Sequence, residues 1–323
     1  MERFANAVVL ADASSMTDGD WRALRQKSVG SSDAAAVMGR GKYGSPHQVW
    51  WSKVSDEGRE ESFVMALGHK MEPVILQLAA EQLGMAVEKP DLVLQHPDHP
   101  TMTCNIDGHA TNPYGEEAIV EAKHAGNYLK NHLRRWRDSG APEPGSPIEA
   151  WWVQVQYQLS ITGITQGHLA ALCDKDFFLI PVPRDEAFIE ALEKDIPAWW
   201  DEYVVASESP PLHRNDADLI AQAHPEGDPD AEPVDLGSMS DEFAKIRDLK
   251  AQIKELKDAL KTYEVRAKDK LGDSTLGLIE GERVISSHDT TRKSVDYVSF
   301  LAEHPDVFNE VVTTKTTRTY RFS

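Results

Sequence analysis

Two acids and a base lie close together in TCNIDGHATNPYGEEAIVEAKHAG, residues 103–126: Asp107, then Glu121 fourteen positions on, then Lys123 two further. In EAIVEAK the side chains alternate between the faces of a strand. Glu121 and Lys123 therefore share one face, and Val120 and Ala122 the other. If TMTCNID pairs beside that strand, Asp107 at its end converges on Glu121. Two carboxylates on adjacent strands make a pocket of hard oxygens suited to Mg2+, or to Mn2+ in its place. A lysine beside such a pocket can position an attacking water, help to deprotonate it and offset charge on a phosphate. Each signal is common by itself. E-x-K also suits an edge strand facing water, and an aspartate before glycine suits an Asx turn. The ordered combination is more specific than its parts.

The elements that must hold these residues can be read from pattern. TDGDWRALRQKS and SSDAAAVMG read as short capped helices, and ALGHKMEPVILQLAAEQLG as a helix ending at Gly84 with Pro73 in its early turns. AVEKPDLVLQ, TMTCNID and EAIVEAK are strand candidates. IEAWWVQVQYQLSITG reads as a long amphipathic helix, GHLAALCD and FFLIPV as a hairpin turned at Asp174-Lys175, and DEAFIEALEKDIPAWWDEYVVA as a further helix. This order predicts an α/β domain around a mixed sheet over residues 1–206. An acidic, proline-rich linker is expected over 207–240. Beyond it, Ile246, Leu249, Ile253, Leu256, Leu260, Tyr263 and Ala267 recur three and four apart, a heptad seam. A hairpin turned at Glu280-Gly281, a helix at SVDYVSFLAEHP and a strand at TRTYRF complete an α+β appendage over 241–323.

The chain has 323 residues, 41% of them apolar and 27% charged, as in a soluble globular protein. Cys104 and Cys173 cannot form a disulfide framework or a cysteine-rich zinc site, which points to a reducing, cytoplasmic setting. NAVVLADASS is too short for a signal segment, and no stretch reaches transmembrane length, so no membrane partner is expected. The net charge of −19 opposes non-specific binding to a polyanion. Much of that acid lies in solvent segments such as SDEGREE and EGDPDAEPVD, and cations bound at a carboxylate site would neutralise more.

Five patches, in order between Trp21 and Tyr203, resemble the lambda-exonuclease or YqaJ-like family of phage recombination nucleases, within the PD-(D/E)xK superfamily. They are WRALRQKSVGSSDAAAVMG, ALGHKMEP, CNIDG, VEAK and WVQVQYQLSITG. The resemblance implies a restriction-endonuclease-like core with a mixed central sheet flanked by helices. It makes Asp107, Glu121 and the Ala122 carbonyl metal ligands, with Glu72 contributing from its helix. It makes Lys123 the catalytic lysine and Gln154 the residue that orients water, in preference to Gln156. It also places Arg25 and Ser32 on a DNA 5′ phosphate, for which a guanidinium's parallel donors are suited. The superfamily's opening proline is replaced by Ile106, and the heptad module has no counterpart in the shortest family members.

The one basic cluster, KNHLRRWRDSG, supplies Lys130, Arg134, Arg135 and Arg137 as candidate backbone contacts and Trp136 as a candidate stacking ring. An amphipathic helix with a solvated basic face accounts for it equally well. His69, His109 and His124 lie in no zinc-binding spacing. The resemblance implies a Mg2+-dependent 5′→3′ exonuclease on double-stranded DNA ends that leaves 3′ single strands. It implies as well a ring-shaped, commonly trimeric homo-oligomer and a single-strand annealing protein as partner, in a bacterial host. An endonuclease or nickase built on the same core, or a DNA-end-binding module without chemistry, are the alternatives. The intact aspartate and E-x-K set speaks against the last.

Overall fold

The computed structural model describes residues 4, 6–55, 62–291, 296–311 and 313. They form two compact units, 1–220 and 221–323. The first unit opens with β1 (Val8–Asp12), α1 (Asp18–Arg25), β2 (Val29–Gly30), α2 (Ser31–Val37), α3 (Pro46–Val54) and α4 (Phe63–Leu83). Then come β3 (Ala86–Glu88), β4 (Leu92–Gln95), β5 (Met102–Cys104), β6 (Gly108–Thr111) and β7 (Glu117–Ala125). α5 (Lys130–Ser139), α6 (Glu149–Thr162), β8 (Gln166–Cys173), β9 (Asp176–Pro183) and α7 (Glu186–Trp199) follow.

The main sheet has the order β3-β6-β7-β8-β9 and is mixed: only β7 and β8 run parallel, joined by the α5–α6 crossover. Alternation along β7 sets the two faces. Ala118 and Val120 pack with Ile75 and Leu76 of α4, whereas Ile119 joins the larger core with Val155 and Leu159 of α6. A second sheet, β1-β4-β5-β2, packs into that larger core through Leu94 and Met102. Of the two short helices expected to be capped, α1 has a side-chain cap, whereas α2 begins after Gly30 without one. Thr17 and Asp20 form a capping box on α1, and Gly84 ends α4 in the left-handed conformation.

Several expected elements differ in detail. AVEKPDLVLQ is two strands in two sheets, broken after Pro90 where Asp91 takes a positive φ of 49°. TMTCNID does not pair with β7, because its strand, β5, belongs to the second sheet; β6 is the true neighbour. Helix α4 starts earlier than expected, behind the Ser62 cap, so Pro73 falls mid-helix. Helix α6 is buried nearly all round and is not amphipathic. The β8–β9 hairpin turns at Asp174-Lys175 as expected, with Asp174 at φ 55°.

Compactness continues past residue 206. The Ser45 hydroxyl donates to the buried Asp216 carboxylate, and the Gln48 amide to the Asn215 carbonyl at 2.9 Å. Residues 224–236 are exposed and lack regular structure. In the second unit α8 (Ala217–Ala223), which spans the division, is followed by α9 (Ser240–Leu271), with Leu249, Ile253, Leu256, Leu260 and Tyr263 exposed. β10 (Leu276–Ile279) and β11 (Glu282–Ser286) turn at Glu280-Gly281, both at positive φ. α10 (Tyr297–Glu303) lies within the expected helix, and TRTYRF lies outside the described residues.

Gly108 starts β6 directly after Asp107, and a Cβ there would lie 2.8 Å from both Leu76 Cδ2 and Val87 Cγ1. Gly108→Val should therefore cost about 1–3 kcal/mol in urea unfolding through overpacking. An unchanged midpoint would mean that α4 does not pack so tightly on this strand.

Candidate active site

Asp107 sits in the short connection between β5 and β6 and faces the middle of β7. Pairing of β6 with β7 stops at Gly108–Val120, so the next backbone amide on that edge, that of Ala122, has no strand opposite it. The Asp107 Oδ2 takes its place, accepting from the Ala122 N–H at 2.9 Å. In an extended strand a residue's N–H and C=O point to the same side. The Ala122 carbonyl therefore faces the same edge as Asp107. On the α6 face of β7, Lys123 Nζ donates to Glu121 Oε1 at 2.5 Å and to Gln154 Oε1 at 3.1 Å. The second Glu121 oxygen accepts from Gln158 Nε2 at 2.7 Å, and the same amide donates to the Asn105 carbonyl. One glutamine of α6 thus anchors the carboxylate and another the lysine. Gln156 points elsewhere, bonding the Pro183 carbonyl and the Asp185 amide.

Burial, followed by the charge of Glu121, lifts the Asp107 carboxyl to about 8, against the pull of Lys123 and the Ala122 amide. Burial alone would lower the Lys123 ammonium. The charges of Glu121 and Asp107 and the bond to Glu121 outweigh it and hold the group above its usual value. Lys123 is thus a cation at neutral pH, suited to positioning and charge stabilisation more than to removing a proton. Two carboxylates side by side, Glu121 buried and Asp107 half-buried, are a setting that a divalent cation relieves. The oxygens of Asp107 and Glu121 with the Ala122 carbonyl fit a hard cation that keeps several waters, as Mg2+ does.

Glu72 is not brought into contact with them. Its carboxylate accepts from Lys89 at 2.8 Å, although its charge reaches Asp107 and Lys123. Among the described residues no group of three or more His, Cys, Asp or Glu side chains converges. In this structure Glu72 is the partner of Lys89.

Arg25 and Ser32 do come together, at 3.2 Å between guanidinium and hydroxyl. Sequence reading missed what holds them. Asp33 Oδ2 accepts from Arg25 at 2.8 Å and from the nearly fully buried Lys53 at 3.0 Å, and Lys53 also donates to the Arg25 carbonyl. Burial raises the Asp33 carboxyl, but Lys53 and Arg25 more than reverse this and bring it to about 2. The Tyr157 hydroxyl ties this region to α6 by donating to the Val29 carbonyl at 2.7 Å.

The basic helix α5 divides by face. Trp136, 1% exposed, lies in the core with Leu129 and Leu133, so it is not a stacking ring. The i, i+3 spacing of Leu133 and Trp136 was the signal of a buried stripe. Arg135 and Arg137 are exposed but held by Glu143 and Asp138, and Lys130 pairs with Asp176.

An aspartate before one strand, E-x-K on the next and helices on both faces of the sheet make up this mixed α/β core. Residues 20–165 match the model of the YqaJ-like viral recombinase domain, the family the sequence resembles. The chain is 27% identical over 318 residues to the uncharacterized protein YqaJ of Bacillus subtilis (strain 168), covering 94% of each. Among solved structures it is similar to the alkaline exonuclease LHK-Exo of Laribacter hongkongensis, with a TM-score of 0.47, 21% identity and 58% of this chain and 93% of that one covered. A phage-related exonuclease from Haemophilus somnus 129PT gives a TM-score of 0.39 at 10% identity, with 58% and 100% covered.

Gln158 supplies a donor to a buried carboxylate oxygen. Gln158→Leu removes it without a large change of volume and should cost about 1–3 kcal/mol of stability, read by urea unfolding. A neutral result would show that Glu121 does not rely on this amide.

Proposed function

We propose that the protein is a divalent-metal-dependent deoxyribonuclease that degrades double-stranded DNA from its ends, an exonuclease of the viral recombination kind. The observation that carries this reading is the convergence of Asp107, Glu121 and Lys123, with Gln154 joined to the lysine. Asp107, Glu121 and the Ala122 carbonyl would hold Mg2+, or Mn2+ in its place. Bound there, the ion would polarise the scissile phosphate and neutralise charge as it develops.

This chain's residues do the rest. Lys123 and Gln154 orient a water for in-line attack on phosphorus, and the Lys123 ammonium stabilises charge on the phosphoryl oxygens. As the water oxygen bonds to phosphorus its proton passes to solvent, the phosphodiester bond to the leaving oxygen breaks, and that oxygen takes up a proton from solvent. Arg25, steadied by Asp33, and Ser32 would hold a 5′ phosphate, giving 5′→3′ polarity and 3′ single-stranded products. Arg134 remains a candidate for the DNA backbone, and Glu72 would contribute to the metal site only after leaving Lys89. A ring-shaped homo-oligomer around the duplex and a single-strand annealing partner belong to the same reading, as does a phage or prophage origin with action in the bacterial cytoplasm. Among the described residues no helix is long and apolar enough to cross a membrane.

The test is digestion of 5′-phosphorylated linear duplex with Mg2+, beside a closed circle. Wild type should degrade the linear form and spare the circle, while Lys123→Ala and Glu121→Ala fall by about 10²–10³-fold. Cleavage of the circle would make the protein an endonuclease or nickase. Inert wild type that still binds ends would overturn the enzymatic reading.

A further inference from the structure

Helix α9 has 32 residues, none of them buried, and is about 48 Å long at the usual rise per residue. Among the described residues, none from 217 onward is buried. A helix in a protein draws most of its stability from packing an apolar face. A regular apolar stripe left bare on so long a helix therefore marks a surface that a partner covers.

The stripe is regular. Ile246, Ile253 and Leu260 fall on the a positions of a heptad, and Leu249, Leu256 and Tyr263 on the d positions. The four side chains at its middle, Leu249, Ile253, Leu256 and Leu260, are 47–69% exposed. A β-branched isoleucine at a with leucine at d favours two strands over three or four. One further helix thus completes the seam.

The flanking e and g positions decide which helix that is, because they meet across the seam. Lys245, Lys250, Lys257 and Arg266 stand there, with Glu264 as the one acid. Asp248, Glu255 and Asp258 lie instead on the outer c and f positions. A second copy laid parallel would bring Lys245 against Lys250 of the other strand. Laid antiparallel with the seams fully overlapped, it would bring Lys250 against Lys257 and Lys245 against Arg266. Like charges meet in both arrangements, which disfavours self-pairing. A helix with acids on its own e and g positions meets opposite charge in either direction.

We propose that α9 is the docking surface for an acidic amphipathic helix of another protein, held as a two-stranded coiled coil. The apolar seam supplies the affinity and the basic flanks select the partner.

The test is fluorescence anisotropy of the full chain with a labelled synthetic peptide of four heptads, carrying isoleucine at a, leucine at d and glutamate at e and g. A twin peptide carries lysine at e and g. Wild type should bind the acidic peptide about tenfold more tightly than the twin. Lys250→Glu/Lys257→Glu should erase that preference. Leu256→Asp should weaken acidic-peptide binding about 100-fold by setting a charge in the seam. Leu256 is 69% exposed, so the change disturbs no core. Equal binding of the two peptides by wild type, or undiminished binding by Leu256→Asp, would overturn the proposal. So would sedimentation of wild type alone as an oligomer that Leu256→Asp dissociates, because a second copy would then occupy the seam. The peptides are read without DNA or metal, so this proposal stands or falls apart from the nuclease reading.

Discussion

Setting two carboxylates side by side, one of them buried, is costly, and the centre of this domain is arranged around that cost. Half-buried Asp107 faces the charge of buried Glu121, and desolvation with that charge resists the ionisation of Asp107. Lys123 and the two amides, of Ala122 and Gln158, offset part of it. What remains is carried by Asp107, whose carboxyl is pushed up to about 8. The metal site we propose would use this pair, because a divalent ion there would be stabilised by both carboxylates.

The fold supplies this arrangement by ending one ladder early. Strand β6 pairs with β7 only as far as Val120, leaving the edge at Ala122 to the Asp107 side chain. On the other side β7 continues beside β8 through Ala125, which keeps Glu121 and Lys123 on a rigid strand. The buried helix α6 then crosses the same face, and its one-turn spacing delivers Gln154 to the lysine and Gln158 to the glutamate. The Arg25–Asp33–Lys53 cluster follows the same logic, with a nearly fully buried cation holding the acid that orients a more exposed guanidinium.

Much of this was legible in sequence because strand and helix periods are local. Alternation in EAIVEAK correctly put Glu121 and Lys123 on one face, and the turn at Asp174-Lys175 marked its hairpin. Partner choice between sheets was not legible. Asn105, Ile106 and Asp107 carry the chain from the second sheet to the main one, and nothing in their types says which strand TMTCNID joins. Gln158 was missed although it stands four residues from Gln154, a spacing that puts both on one face. Lys53 was missed because a lysine in an alternating helix reads as solvated until its acid partner is known. Trp136 was misread for the opposite reason: basic neighbours drew attention from the apolar stripe it shares with Leu133.

Binding of Mn2+ to the nucleic-acid-free protein, followed by electron paramagnetic resonance, tests the central claim most directly. The account predicts that wild type binds the ion and that Asp107→Asn and Glu121→Gln, both close to isosteric, lose it while keeping their fold by circular dichroism. Equal binding by wild type and both variants would contradict the account. So would a wild type that binds no ion, because the acid pair would then have some other purpose than holding a metal.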